Sequence, residues 1–161
     1  MSRLRGTTAC ICLLFLVALA RTSPALAEKR AALVIGNSAY EHAQRLPNPA
    51  NDALAVAATL RSIGFRDVEV AIDQNIDDLR RSIRKFGEKA ASVDVALVYY
   101  AGHGMELGGQ NYLLPVDARL KSDRDLDFEA LTLGLVLRAI EPVKRMRIVI
   151  LDACRNNPFA A

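Results

Sequence analysis

The chain has 161 residues, a length that suits one domain at most. Its 21 lysines and arginines outnumber its 18 acidic residues by three, and they are scattered rather than grouped with aromatic residues, so nucleic-acid binding is not expected. The two histidines, His42 and His103, have no partner at ligand spacing, so neither a metal nor another cofactor is expected.

The first 27 residues have the pattern of a secretory signal peptide. Arg3 and Arg5 give a positive start, and residues 9–20 (ACICLLFLVALA) form an uncharged apolar run of 12 residues. Residues 25–27 (ALA) then supply a small-x-small cleavage site. The alternative is a transmembrane anchor, but the apolar run is shorter than the roughly 20 residues that cross a bilayer. We therefore expect cleavage after residue 27, no stable membrane span afterwards, and export to the periplasm or the exterior.

The remaining chain alternates between short apolar runs and stretches with helical spacing. The predicted elements are, in chain order, a strand (30–37), a helix starting after residue 49 and stopping at 64, a strand (68–72), a helix capped by residue 75 and reaching about 91, a strand (93–101), a hairpin or small excursion (102–115), a charged linker (121–127), an apolar helix ending near 142, and a strand (147–151). Because the strands are continuously apolar, this order predicts an α/β fold with a parallel sheet and helices on both faces.

Two of these strands lead directly into residues that carry chemistry. The third strand leads into His103, and the fourth leads into Cys154. Parallel strands connected by right-handed crossovers end on one edge of the sheet, where α/β folds place their sites. We expect the third and fourth strands to be neighbours in the sheet. Adjacent strands lie about 4.8 Å apart, so an imidazole on one is expected to reach a thiol on the other. An imidazole beside a thiol yields a thiolate nucleophile.

Glycines flank His103 and let a substrate backbone approach closely. The backbone N–H groups of Gly104 and Cys154 are candidates to stabilise a developing oxyanion. The alternatives are that Cys154 is a small buried apolar residue and that His103 is a turn residue. Tyr99 and Tyr100, in the preceding strand, are expected to pack within the sheet.

Several segments together resemble the caspase and metacaspase family. Residues 98–104 (VYYAGHG) are followed about 50 residues later by residues 152–155 (DACR), a spacing and composition similar to the caspase signature. Residues 32–40 (ALVIGNSAY), 46–53 (LPNPANDA) and 60–65 (LRSIGF) resemble the p20 part of bacterial members. The resemblance implies a caspase-like three-layer α/β/α sandwich with a mostly parallel sheet.

The resemblance also implies roles for individual residues. Cys154 matches the nucleophile, His103 the general base, and Gly104 the oxyanion-hole position. Asp52 and Asp152 match acidic positions of the S1 pocket, and two carboxylates there favour a substrate with Arg or Lys at P1. The alternative to a substrate-binding role for Asp52 is a structural one, because an acidic residue in the first turn of a helix is favoured by the helix dipole.

The sequence departs from the family pattern in two places. Asp152 stands where caspases carry Gln, and Asn156 stands where the signature has Gly. The resemblance makes residues 28–161 a p20 catalytic domain, and we expect the p10-like part to be absent from this chain. A truncated product, a p20 unit that pairs with a separate p10-like chain and an inactive module are then all open.

Two functional hypotheses from different classes follow. The first is a cysteine endopeptidase that acts on a peptide or protein substrate with a basic P1 residue. The second is a catalytically silent caspase-like module that acts as a binding or regulatory partner. A nucleotide-binding α/β domain is disfavoured, because residues 36–38 (GNS) lack the glycine spacing that cradles phosphates.

Overall fold

The computed structural model describes residues 28–154 and 158–159, so the predicted leader, residues 155–157 and residues 160–161 lie outside the described part. Within those ranges no helix has the length and apolar character needed to cross a membrane. The elements are, in chain order, β1 (Arg30–Gly36), α1 (Pro49–Ser62), β2 (Asp67–Ile72), α2 (Ile76–Ala90), β3 (Val95–Ala101), β4 (Gly104–Leu107), β5 (Gln110–Leu113), a 3-10 turn (Asp123–Asp125), α3 (Leu126–Glu129), β6 (Leu131–Thr132), α4 (Leu133–Ala139) and β7 (Met146–Asp152).

The main sheet is parallel, with the strand order β2-β1-β3-β7 in the described part of the chain. Strands β3 and β7 are neighbours, and the last residue of β3, Ala101, pairs with the last residue of β7, Asp152. The predicted adjacency of the third and fourth main strands is therefore confirmed. The segments that carry His103 and Cys154 leave the sheet side by side.

Helices cover both faces of this sheet, which confirms the predicted three-layer α/β/α architecture. On one face, Tyr99 of β3 packs in a cluster with Ala57 and Leu60 of α1. On the other face, Tyr100 packs in a cluster with Phe86 of α2 and Val136 of α4. Because successive side chains of a strand point to opposite faces, the two adjacent tyrosines enter different cores.

The prediction of a single apolar helix after residue 127 is wrong, because this part of the chain forms α3, the short strand β6 and α4. Ser122 and Asp125 form a capping box that starts the 3-10 turn before α3. Leu131 of β6 pairs with Leu113 of β5, and the Thr132 side chain then accepts a hydrogen bond from the N–H of Leu135. A two-residue strand is too short to interrupt the apolar periodicity of the sequence.

The loops at the carboxyl edge are connected by Asn37, which is fully buried. Its side-chain Nδ2 donates to the carbonyl of Leu114 at 3.1 Å, and its Oδ1 accepts from the N–H of Gln74 at 2.9 Å. Its backbone N–H donates to the carbonyl of Ala101 at 2.9 Å. The ends of β1 and β3 and the segments after β2 and β5 are thereby held together.

The outermost strand of the described sheet, β7, leaves apolar side chains in solvent. Met146 is 55% exposed, Ile150 44% and Leu151 39%, whereas every residue of β3 is buried. Strand β7 thus has the apolar composition of a buried strand, although several of its apolar side chains are exposed to solvent.

We expect the two isoleucines Ile35 and Ile150 to differ sharply in their contribution to stability. Ile35 is fully buried, so Ile35→Ala should lower the free energy of unfolding by about 2–5 kcal/mol. Ile150→Ala removes the same atoms from an exposed site and should cost less than about 1 kcal/mol. Urea unfolding of both variants, followed by circular dichroism, measures the difference, and equal losses would contradict the described packing.

Candidate active site

A cavity of about 770 Å³ opens at the carboxyl edge of the main sheet. Four of the residues singled out in the sequence line it, namely Asp52, His103, Asp152 and Cys154. Gly104 lies beside this cavity, at a pocket of about 110 Å³ that shares Leu151, Ala153 and Cys154 with it. The fold therefore gathers the candidate nucleophile, base and acidic residues around one space.

The imidazole of His103 is oriented by a backbone carbonyl from the loop after β1. Its Nε2 lies 2.8 Å from the carbonyl oxygen of Gln44. A carbonyl oxygen only accepts hydrogen bonds, so Nε2 carries the proton in this contact. Nδ1 is then the ring nitrogen that can take a proton from a thiol or give one to a leaving group.

Two buried tyrosines hold the backbone of His103. The Tyr40 hydroxyl accepts a hydrogen bond from the His103 N–H at 2.7 Å, and the Tyr100 hydroxyl donates to the His103 carbonyl at 2.6 Å. Burial raises the pKa of Tyr40 to about 12 and raises the pKa of Tyr100 well above its usual value. Both phenols therefore remain protonated at neutral pH and keep their donor capacity.

The glycines around His103 make room for other groups of the protein. A Cβ at Gly102 would lie 2.6 Å from the Tyr40 hydroxyl oxygen and 2.8 Å from that of Tyr100. A Cβ at Gly104 would lie 2.9 Å from the carbonyl oxygen of Cys154. Beyond the substrate access expected from the sequence, these glycines let the tyrosine pair and the Cys154 segment approach the histidine loop.

Cys154 has a free thiol and is exposed, so the alternative interpretation of a buried apolar cysteine is wrong. The segment before it is fixed to β3, because the N–H of Gly102 donates to the carbonyl of Asp152 at 3.3 Å. An accessible thiol at a strand end that lines the same cavity as an oriented imidazole is an arrangement that suits nucleophilic catalysis.

The two acidic residues reach the cavity from different elements. Asp52 lies in the first turn of α1, which Pro49 opens, so the interpretation of a helix-start acid is correct. The same residue also lines the cavity, so the two interpretations of Asp52 are compatible. Asp152, at the end of β7, is exposed and accepts a hydrogen bond from the Tyr99 hydroxyl at 3.3 Å. Among the described residues, no group of three or more His, Cys, Asp or Glu side chains is arranged to hold a metal ion.

The sequence interpretation missed the supporting residues Tyr40, Gln44, Tyr99 and Tyr100. Tyr99 and Tyr100 do pack in the sheet as expected, but their hydroxyls also bond to Asp152 and His103. Two tyrosines in succession at the carboxyl end of a strand are a signal for this, because they place hydroxyls on both faces of the sheet beside the site. Gln44 acts through its carbonyl and leaves no signal in the side-chain sequence.

Comparison with known proteins gives the class of this fold and site. The family profile of the peptidase C14 caspase domain matches residues 29–160, and the chain therefore belongs to the caspase-domain family of peptidases.

Two similar relatives have long chains of their own. The human (Homo sapiens) mucosa-associated lymphoid tissue lymphoma translocation protein 1 is 28% identical over 136 residues, which are 84% of this chain and 16% of that protein. The mouse (Mus musculus) homolog is 27% identical over 137 residues, with the same coverage of 84% and 16%. This chain thus spans 16% of the length of each relative.

A crystal structure supports the fold independently. Protein GSU0716 from Geobacter sulfurreducens superposes with a TM-score of 0.59 over 78% of this chain and 50% of that chain, at 21% sequence identity. At that identity the likeness establishes a shared fold and nothing about function.

We expect Gly102→Ala to disrupt the tyrosine pair around His103. The added methyl group would overlap both hydroxyl oxygens, so the free energy of unfolding should fall by about 1–3 kcal/mol or more. The matched control is Gly134→Ala in α4, where the nearest atom to the new Cβ lies 3.8 Å away. There alanine should stabilise the helix by up to about 1 kcal/mol. Urea unfolding measures both effects, and a Gly102→Ala protein as stable as the parent would argue against the described contact.

Proposed function

We propose that this caspase-family domain is a cysteine endopeptidase that cleaves peptide bonds after Arg or Lys. The observation that supports this most strongly is the single cavity lined by His103, Cys154, Asp52 and Asp152. The exposed thiol and the imidazole fixed by the Gln44 carbonyl supply the chemistry, and the two carboxylates supply the preference for a basic side chain.

The proposed reaction proceeds through an acyl-enzyme. The Cys154 thiolate sulfur attacks the scissile carbonyl carbon and forms a C–S bond, and the carbonyl oxygen becomes an oxyanion near the N–H groups of Gly104 and Cys154. The carbonyl then re-forms as the C–N bond breaks, and Nδ1 of His103, which holds the proton taken from the Cys154 thiol, delivers it to the leaving amine. Water attacks the resulting thioester, which releases a carboxylic acid and restores the thiol.

The acidic pair accounts for the proposed specificity. Asp52 lies on the helix side of the cavity and Asp152 at the end of β7. A guanidinium between them can donate to both carboxylates through its fork of N–H groups, and an ammonium pairs with them as a point charge. An acidic P1 side chain would be repelled by the same two charges.

Export is also part of the proposal. The leader pattern of residues 1–27 supports secretion with removal of that segment. N-terminal sequencing of the protein from a secreting host should begin at Glu28, and a chain that stays in the cytoplasm with Met1 or Ser2 intact would contradict export.

A p10-like element, on a separate chain or as a partner domain, is the proposed partner of β7. The exposed apolar side chains of Met146, Ile150 and Leu151 support this, because an outer strand that accepts a further strand would bury them. The partner would also complete the wall of the cavity on the β7 side. Without it, the competing hypothesis of a catalytically silent module gains weight.

The experiment for the peptidase activity is covalent labelling of the purified chain with a peptidyl-Arg acyloxymethyl ketone. The thiolate of Cys154 should displace the carboxylate of the reagent and form a thioether, which intact-mass analysis detects. We expect no labelling of Cys154→Ala, and a rate lowered at least about tenfold in His103→Ala, since general acid–base catalysis contributes at least that much.

Two further arms separate the hypotheses. A simple thiol reagent should modify Cys154 in the parent chain, and modification by that reagent without reaction of the Arg reagent would refute peptidase activity for the chain by itself. Adding a p10-like chain from the same organism should then raise the labelling rate if that chain completes the site. An unchanged rate would contradict the partner and favour the silent module.

A further inference from the structure

The side chain of Tyr99 lies behind the acidic pair, on the face of the sheet that α1 covers. It is 6% exposed and packs in the same cluster as Ala53 and Ala57 of α1, the helix that carries Asp52 in its first turn. Its hydroxyl donates to Oδ2 of Asp152 at 3.3 Å. The phenol therefore connects the helix side of the cavity with the end of β7.

The electrostatic surroundings keep this phenol a donor. Burial, the charge of Asp152, the hydrogen bond to it and the charge of Asp52 together raise the pKa of Tyr99 to about 12. Tyr99 thus stays protonated at any pH at which a cysteine peptidase works. The negative charges of both carboxylates raise the pKa of the same hydroxyl, so Tyr99 lies within electrostatic range of both acidic residues.

Asp152 needs such support because it is exposed. A solvent-exposed carboxylate rotates about its terminal torsion, which is broad and roughly two-fold. A hydrogen bond to Oδ2 restricts that rotation. It thereby fixes the plane in which Oδ1 and the remaining lone pairs of Oδ2 accept hydrogen bonds. Planar, bidentate pairing with a guanidinium requires a carboxylate in a defined plane, whereas an ammonium tolerates many orientations.

We propose that Tyr99 is a positioning residue that fixes the plane of the Asp152 carboxylate and thereby makes the site prefer Arg over Lys at P1. The inference rests on the proposed peptidase function and extends it to the choice between the two basic residues. Tyr99 acts through Asp152 and makes no contact with the reacting atoms.

The test compares labelling rates with a matched pair of peptidyl acyloxymethyl ketones that differ only in Arg or Lys at P1. In Tyr99→Phe the ring remains and the hydroxyl is lost, so the rate with the Arg reagent should fall about tenfold. The rate with the Lys reagent should fall less than about twofold, because a point charge needs no fixed plane. General destabilisation would lower both rates together, so the ratio of the two rates isolates the positioning role.

Tyr100→Phe is the contrasting variant, since it removes a hydroxyl from the next residue of β3 that bonds to the His103 carbonyl. It should lower both rates by the same factor and leave the Arg-to-Lys ratio unchanged. An unchanged ratio in Tyr99→Phe would overturn the inference, even where the parent chain reacts strongly with both reagents.

Asp152→Asn distinguishes failure of the inference from failure of the proposed specificity. Tyr99→Phe added to Asp152→Asn should cause no further change in the ratio, because the hydroxyl acts through the carboxylate. A further change in the ratio would contradict the inference that the Tyr99 hydroxyl acts through the Asp152 carboxylate. If Asp152→Asn itself leaves the reaction with the Arg reagent unchanged, the proposed acidic pocket fails, and the inference fails with it.

Discussion

The buried amide of Asn37 is the interaction on which the geometry of the carboxyl edge depends. Asn37 is fully buried, and two hydrogen bonds of its side chain together with one of its backbone N–H connect four segments of the chain. A buried amide without its partners is costly, so the loops can adopt only arrangements that satisfy it. Asp73 adds to this by accepting from the N–H groups of Ser38 and Ala39. These hydrogen bonds fix the turn that leads to Tyr40, and the side chains of His103 and Cys154 take no part in them.

The register of β3 distributes the supporting tyrosines. Tyr100 enters one core and supports the histidine loop, and Tyr99 enters the other core and contacts the acidic residue at the end of β7. Since the period of a strand is two, a shift by one residue would exchange the two hydroxyls. Strand β3 is buried along its whole length and packs against a different core on each face, so such a shift would disrupt both cores. The hydroxyl that holds the histidine loop and the hydroxyl that contacts Asp152 therefore lie on opposite faces of the sheet.

Much of this arrangement could be predicted from the sequence, because it depends on apolar runs and on parallel strands that end at one edge. The adjacency of the His103 and Cys154 segments and the cap at Asn75 follow from such local patterns. The strand β6 could not be predicted, since two residues carry no periodicity and their pairing with β5 is a tertiary contact. The Tyr40 contact joins residues 63 positions apart, and no local pattern encodes that distance.

The imidazole of His103 is oriented by a backbone carbonyl, and this has a consequence for substitutions at residue 44. Every amino acid has this carbonyl, so replacing the exposed side chain of residue 44 leaves the acceptor in place. The same residue lines the cavity beside Leu46 and Pro47. A point substitution at residue 44 can therefore change the chemistry of this rim while the contact that orients the imidazole of His103 stays in place. An insertion or deletion in the loop would move the carbonyl, so the position of the imidazole depends on the length of this loop more than on the identity of residue 44.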